Sequence, residues 1–226
     1  QDCGAGSAFA LTGAEARHTE VKRMRDGEPL VVTDGVGSAI RGHWSAGQVV
    51  VDEQLEVTRQ VPRVTVVQAI PKSERAELAV DLATQAGADE IIAWQASRSI
   101  SRWSADKRDK GVAKWQATAR EATKQSRRLT IPPVRFATTR QICQHIRKTE
   151  RTFVLHESAE TTVDPSQIPA GGEVMLIVGP EGGISPDELD AFVDAGALPI
   201  LVSDGVLRTS TAGVVGLAQL RILAGD

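Results

Sequence analysis

The sequence predicts an α/β protein, with a parallel sheet covered on both faces over residues 63–226 and a small β-barrel or sandwich over residues 1–62. Three observations carry this. From Val64 onward, short apolar runs alternate with helical patterns, the rhythm of βαβ units. Before it, residues 8–60 hold short β-prone segments punctuated by glycine: "FALTG", "EPLVVTDGVGSAIRGHW" and "QVVVDEQLEV". Polar or glycine-bearing stretches follow three predicted strands in the C-terminal third, at the strand ends where parallel sheets gather ligands.

Taken in order, the first part is expected to hold one short helix near Ala14 to Met24 and a hairpin turn at Asp34-Gly35. The segment "RQVPR", with Pro62, marks the junction. "VTVVQAI" is a buried strand, after which Ser73 caps a helix that runs to Gln85 and stops at Gly87. "EIIAW" is the next strand. A long basic helix over about Lys107 to Arg128 ends before Pro132-Pro133, because the residue ahead of a proline is pushed out of the helical region. There follow a helix near Thr139 to Lys148, the strands "TFVLHE" and "EVMLIV", a helix from Pro186 to Ala195 and the strand "LPILV". Ser185 supplies the cap for the helix at Pro186, with Asp187 and Glu188 in its first turn. The last helix spans about Ser210 to Leu223.

Composition narrows the class. Cys3 and Cys143 offer neither metal-ligand spacing nor a disulfide framework, which suits a reducing cytosol. The first residue is Gln1, so a preceding piece of chain is expected, and the visible start lacks a basic-then-apolar signal pattern. The most apolar tail, Thr211 to Ala224, is too short to span a membrane and contains Gln219 and Arg221. A soluble cytoplasmic protein without metal is expected.

The net charge of −3 hides an asymmetry. Residues 98–128 hold ten basic residues against Asp106, Asp109 and Glu121, a net of +7, so the rest of the chain carries −10. Trp94, Trp103 and Trp115 lie in or beside this window. Basic residues interleaved with aromatics in an acidic protein suggest a local polyanion site, nucleic acid above all, although a solvated face gives the same pattern.

The segment "LIVGPEGGISPDEL" drops from a strand through Gly179, Pro180, Glu181, Gly182 and Gly183 into a helix. Glycines at such a junction let backbone approach a ligand closely. No lysine follows them, and neither G-x-x-x-x-G-K-[ST] nor G-x-G-x-x-G is present, so a polyphosphate is not the expected ligand. Two further strand ends are loaded: Leu155-His156-Glu157 and "SDGVLRTSTAG" from Ser203 to Gly213. Three such ends in one third of the chain point to a site.

"LHE", "VGPEGGISPDEL" and "VLRTSTA", in this order and spacing, resemble the ribosomal RNA uridine-N3 methyltransferases, the RsmE family of the SPOUT superfamily. "PKSERAELAVDLATQAGADEI" and "REATKQSRRLTIPPV" extend the likeness, and "ARHTEVKRMRDGEPLVVTDGVG" resembles the family's PUA-like N-terminal barrel, so nearly the whole chain is covered. The resemblance implies a knotted (trefoil) parallel-sheet domain whose last helix passes through a loop, which no topology rule would have predicted. Ala212, Gly213, Gly216 and Ala218 are small enough for close threading there. It also implies a homodimer, S-adenosyl-L-methionine as cofactor and 16S ribosomal RNA of the small subunit as substrate. The family's glycine loop is one wall of the cofactor pocket, and a cofactor without phosphate explains the missing lysine.

Carried onto this chain, the cofactor residues are Leu155, His156, Glu157, Val178, Gly179, Glu181, Gly182, Gly183, Val202, Ser203, Leu207, Thr209, Ser210 and Thr211. Arg208 is the expected electrostatic partner of the uridine anion or its holder, and Glu181, with Glu157, is a candidate for acid–base or positioning work. In the plainer alternative, Glu181 caps the following helix and pairs with Arg208. Arg120, Lys124, Gln125, Ser126, Arg127 and Arg128 are expected to reach RNA. Many family members read Leu-Arg-Thr-Glu-Thr-Ala where this chain has Ser210 in place of Glu, and Ser210 is expected to satisfy an N–H at the start of the last helix. Two alternatives stand beside this reading: a SPOUT methyltransferase of a ribose 2′-O or guanine, and a non-catalytic RNA-binding assembly factor.

Overall fold

The computed structural model describes residues 4–72 and 74–225, so Cys3 and the expected cap Ser73 lie outside the described residues. The chain forms two compact units, Gln1–Thr58 and Arg59–Asp226.

The first unit contains β1 (Ala8–Phe9), α1 (Gly13–Lys22), β2 (Pro29–Thr33), β3 (Ala39–Ser45) and β4 (Gln48–Leu55). The strands make one antiparallel sheet in the order β1-β4-β3-β2, and among the described residues no pairing joins β1 to β2. Ile40, Val49 and Val51 form its small core, with Phe9, Leu30 and Trp44 against them. The turn expected at Asp34-Gly35 is present: Asp34 Oδ1 accepts from the N–H groups of Val36, Gly37 and Ser38, at 2.8, 2.9 and 2.9 Å. Those donors hold its carboxyl well below the usual carboxylate range.

The second unit runs through β5 (Arg63–Ala69), α2 (Glu74–Gln85), β6 (Glu90–Trp94), α3 (Ala105–Gln125), β7 (Val134–Ala137) and α4 (Thr139–Ile146). It continues with β8 (Arg151–Leu155), β9 (Glu173–Val178), α5 (Pro186–Asp194), β10 (Ala197–Ile200) and α6 (Thr209–Leu223). All six strands are parallel, in the order β10-β8-β9-β5-β6-β7. Successive strand residues point to opposite faces. Val64, Val66, Ala93, Leu176 and Val178 therefore meet Val80 of α2, Trp115 of α3 and Leu217 of α6, while Val67, Ile92, Trp94 and Ile177 meet Ile142 of α4 and Phe192 of α5. Burial on both faces is why these strands read as continuous apolar runs.

The structure adds a strand and corrects one expectation. The added strand is β7: "VRFA" is four residues long, follows two prolines and carries Arg135, which pairs with Glu90, so its pattern is weak. The tryptophans near the basic run are committed to packing. Trp94 is fully buried against Phe192, with centroids 5.1 Å apart, and its Nε1 donates to Thr139 Oγ1. Trp115 is buried and stands edge-on to Trp103 at 5.3 Å. Trp94 and Trp115 serve the core and offer no stacking surface, and Trp103 is half-buried against Trp115. Among the described residues, no helix is long and apolar enough to cross a membrane.

Candidate active site

A cavity of about 370 Å³ opens at the carboxyl ends of β8, β9 and β10, where the N-terminus of α6 meets them. The loops at 155–157, 179–184 and 200–209 line it, with Arg75 of α2 and Ala212 of α6. Of the residues read from the sequence as cofactor contacts, Leu155, His156, Glu157, Val178, Gly179, Glu181, Gly183, Val202, Ser203, Leu207 and Thr209 lie on its wall, as does Arg208. Gly182, Ser210 and Thr211 do not. A Cβ on Gly182 would meet Arg98 O at 3.2 Å, so this glycine serves the approach of the loop after β6, not the cavity. Gly183 has φ 72°, a left-handed turn position, with open space beyond its Cα.

A buried relay joins the walls. Gln68, 2% exposed on the central strand β5, donates from Nε2 to Thr209 Oγ1 at 3.0 Å and to Ala69 O at 3.0 Å. Thr209 Oγ1 donates onward to Gly179 O at 2.5 Å. The start of α6 is thereby tied to the glycine loop through a side chain that sequence reasoning overlooked. The visible signal was one amide inside the apolar run "VTVVQAI". Glu188, 8% exposed, was likewise read only as a first-turn acid. Its carboxylate accepts from Ser97 N and Ser97 Oγ at 2.9 and 2.8 Å, from Thr139 Oγ1 at 3.2 Å and from Ser185 Oγ at 2.9 Å, pinning the loop after β6 to α5.

The two candidate catalytic groups are not paired with each other. Glu181 Oε1 accepts from Lys72 N at 2.9 Å, and the helix that follows is capped by Ser185. Arg208 is the exposed N-cap residue of α6, and its guanidinium has no hydrogen bond or ion pair among the described residues. This overturns the plainer alternative, in which Glu181 caps the helix and neutralises Arg208. Ser210 is corrected as well. It is 2% exposed and its Oγ has no hydrogen-bond partner among the described residues, so it satisfies no N–H of α6.

The residues expected to reach RNA divide. Arg120, Lys124, Gln125 and Arg127 are exposed. Ser126 Oγ donates back to Ala122 O at 2.7 Å. Arg128 Nη1 donates to Thr84 O and Ala88 O, closing the end of α2, and burial lowers the basicity of this guanidinium. Arg128 is therefore a structural residue. The 21 residues of α3 span about 30 Å, so Arg120 to Arg128 sit at the end of the helix remote from the cavity.

The family model described as RNA methyltransferase domain matches residues 59–221. The ribosomal RNA small subunit methyltransferase E of Mycobacterium bovis is 44% identical over 96% of this chain and 87% of that protein. Its namesake in Bacillus subtilis is 25% identical over 96% and 93%. A Legionella pneumophila protein solved with bound S-adenosylmethionine superposes with a TM-score of 0.83 at 27% identity, covering 98% of this chain and 94% of that one. The ribosomal RNA small subunit methyltransferase E of Neisseria gonorrhoeae shares the fold, with a TM-score of 0.86 at 22% identity over 99% and 94%. Over almost its whole length, this chain belongs to the ribosomal RNA small subunit methyltransferase E family.

Proposed function

We propose that the protein transfers a methyl group from S-adenosylmethionine to N3 of one uridine in the 16S ribosomal RNA of the small subunit. The observation that carries this reading is the cavity itself, built from the three loops that hold the family's motifs. Its volume falls in the range of small-molecule sites, and its wall mixes apolar side chains such as Leu155, Val178, Ile184 and Leu207 with loop backbone. Among the described residues no lysine lines it, and Gly183 leaves open space where a side chain would stand, which fits an adenosine-bearing, phosphate-free ligand.

When bound there, S-adenosylmethionine supplies a methyl group already activated on a sulfonium. The protein's part is to hold the acceptor in line and to favour loss of the N3 proton. Arg208, exposed at the cavity wall with an uncommitted guanidinium, stabilises the uracil anion. Glu181, with one oxygen held by Lys72 N–H, positions the glycine loop, and Glu157 and Asp204 are the other carboxylates on the wall among the described residues. Gln68, through Thr209, keeps the two walls in register.

Within the same proposal, residues 63–226 form a trefoil-knotted SPOUT domain and residues 1–62 a PUA-like unit that grips RNA. Two copies associate through the C-terminal domains, in line with the exposure of Ile222, Leu223 and Val206 on and before α6. Work on ribosomal RNA sets the protein in the cytoplasm. The test is methylation of purified small subunits lacking the modification, with digestion and mass spectrometry of the product. N3-methyluridine at one position supports the reading. A methylated ribose or guanine refutes the atom, and cofactor binding without any product leaves an assembly factor.

A further inference from the structure

A second concavity lies on the same edge of the sheet, lined by Arg108, Phe136, Thr138, Arg140, Gln141 and Gln144. Among the described residues no carboxylate lines it. Arg108, in the first turn of α3, lays its guanidinium 4.3 Å from the Phe136 ring centroid, and its Nε is buried without a hydrogen-bond partner among the described residues. Phe136 is held from below by Trp103, with centroids 6.4 Å apart. Arg140, the second residue of α4, is exposed and has no hydrogen bond or ion pair among the described residues. A cation in the first turn of a helix opposes the helix dipole, so stability of the fold does not account for it.

The register relates this groove to the cavity. Val178, Gln68, Ala93 and Phe136 are aligned partners across β9, β5, β6 and β7, so they form one row on one face. Three strand spacings, about 14 Å, separate the root of the glycine loop from the groove. A few nucleotides of single strand bridge that distance. Arg98 lies on the way, its Nη1 3.5 Å from Gly182 O.

We propose that the groove is a subsite for single-stranded RNA next to the target nucleotide. A base stacks on the outer face of the Arg108 guanidinium, and a phosphate lies against Arg140. Single-stranded RNA is read in this way, by stacking on aromatic and guanidinium planes with cations tracking the backbone. The proposal rests on the RNA methyltransferase reading and adds where the flanking strand lies. The stacked platform and the short distance to the cavity favour RNA over an acidic peptide, which asks for charge alone.

The test uses the full-length protein and a short uridine-containing single-stranded oligoribonucleotide, with binding followed by fluorescence anisotropy at several salt concentrations. Arg140→Glu is expected to raise Kd about tenfold at low salt and to reduce the salt slope by about one. Phe136→Leu, which keeps the packing volume and removes the ring, is expected to cost about fivefold at every salt concentration. Lys148→Glu, the same charge change beyond the far end of α4, is expected to leave the oligonucleotide Kd unchanged. Titration with S-adenosylmethionine should give parental affinity in all three, showing the cavity intact. Parental oligonucleotide binding and a parental KM for small subunits in both groove variants would overturn the subsite. A weaker Kd in Lys148→Glu equal to that in Arg140→Glu would also overturn it, as an effect of net charge. A polyglutamate peptide that binds more tightly than the oligonucleotide, and is lost in Arg140→Glu, would replace RNA by an acidic protein. A wild-type protein that binds cofactor yet methylates no RNA would instead sink the functional reading, a separate outcome.

Discussion

The two edges of the six-stranded sheet use arginine in opposite ways. At the amino edge, Arg221 is 7% exposed and both terminal nitrogens of its guanidinium are spent: Nη1 donates to Pro62 O at 2.7 Å, and Nη2 to Gly87 O at 2.7 Å and Asp89 Oδ2 at 2.8 Å. Arg128, beside it, is spent on Thr84 O and Ala88 O. At the carboxyl edge, Arg208 and Arg140 are exposed and hold no acceptor among the described residues, and Arg98 reaches only Gly182 O at 3.5 Å. Both sets belong to one protein of net charge −3, and composition does not tell them apart. The acceptors a guanidinium already holds do tell them apart. A satisfied, buried cation is scaffold, and an unsatisfied one beside a concavity is available to a ligand.

The sharpest way to break this comparison is at the amino edge. Arg221→Ala takes the guanidinium away from the Asp89 carboxylate, which is 12% exposed and keeps the Val64 N–H at 2.8 Å, and unties the end of α6 from β5 and the α2–β6 turn. Removing one partner of a buried ion pair costs about 3–5 kcal/mol. Chemical denaturation should show that loss. A change below about 1 kcal/mol would mean that the edge is sealed by something other than this arginine.

At the carboxyl edge the expectation reverses. Arg208→Ala should leave the denaturation midpoint within about 0.5 kcal/mol of the parent. Methyl transfer should slow by about 10²–10³-fold, as when one preorganised electrostatic donor is lost. Parental turnover on small subunits would remove Arg208 from the chemistry, and a large loss of stability would place it with Arg221.

Within the basic run the contrast falls between adjacent residues. Arg128→Ala removes the donor to Ala88 O and leaves Thr84 O with the Gly87 N–H alone, and should cost about 1–3 kcal/mol of stability. Arg127 is exposed at φ 57°, so Arg127→Ala should barely alter stability while lowering affinity for ribosomal RNA. Unchanged RNA binding in Arg127→Ala would leave the far end of α3 as a solvated face.

What the sequence disclosed and what it hid divide along similar lines. Local chemistry was legible: Ser185 at the helix start, the Asp34 turn and the glycine-loop junction each depend on neighbours a few residues away. The strand–helix alternation announced a parallel sheet, because strands buried on both faces have little choice but to be apolar. Hidden were the properties that arise only when distant segments meet. Gln68 and Thr209 are 141 residues apart, so nothing local marks the amide as the link between two loops. The run from Arg98 to Arg128 read as one patch, but a 21-residue helix carries its two halves to opposite edges. Trp94 and Trp115 counted toward a polyanion site because their burial is invisible until the helices meet the sheet.

Ser210 provides the smallest expected effect and the finest version of the comparison. Its Oγ is buried at the carboxyl edge with no partner among the described residues, in the turn that follows Arg208. An unpaired buried hydroxyl costs free energy and contributes nothing in return. Ser210→Ala removes that hydroxyl without opening a large void, so stability should hold or rise by less than about 1 kcal/mol. Ser210→Glu tests the other direction. Position 210 is 2% exposed, and a carboxylate there must find a donor or stay desolvated, which should lower stability and raise the carboxyl pKa. If Ser210→Glu kept full stability and raised the methylation rate a hundredfold, a base would be missing from this chain, and position 210 would be its place. If Ser210→Ala lost more than about 2 kcal/mol, the hydroxyl would have a partner after all, and this part of the carboxyl edge would belong with the scaffold.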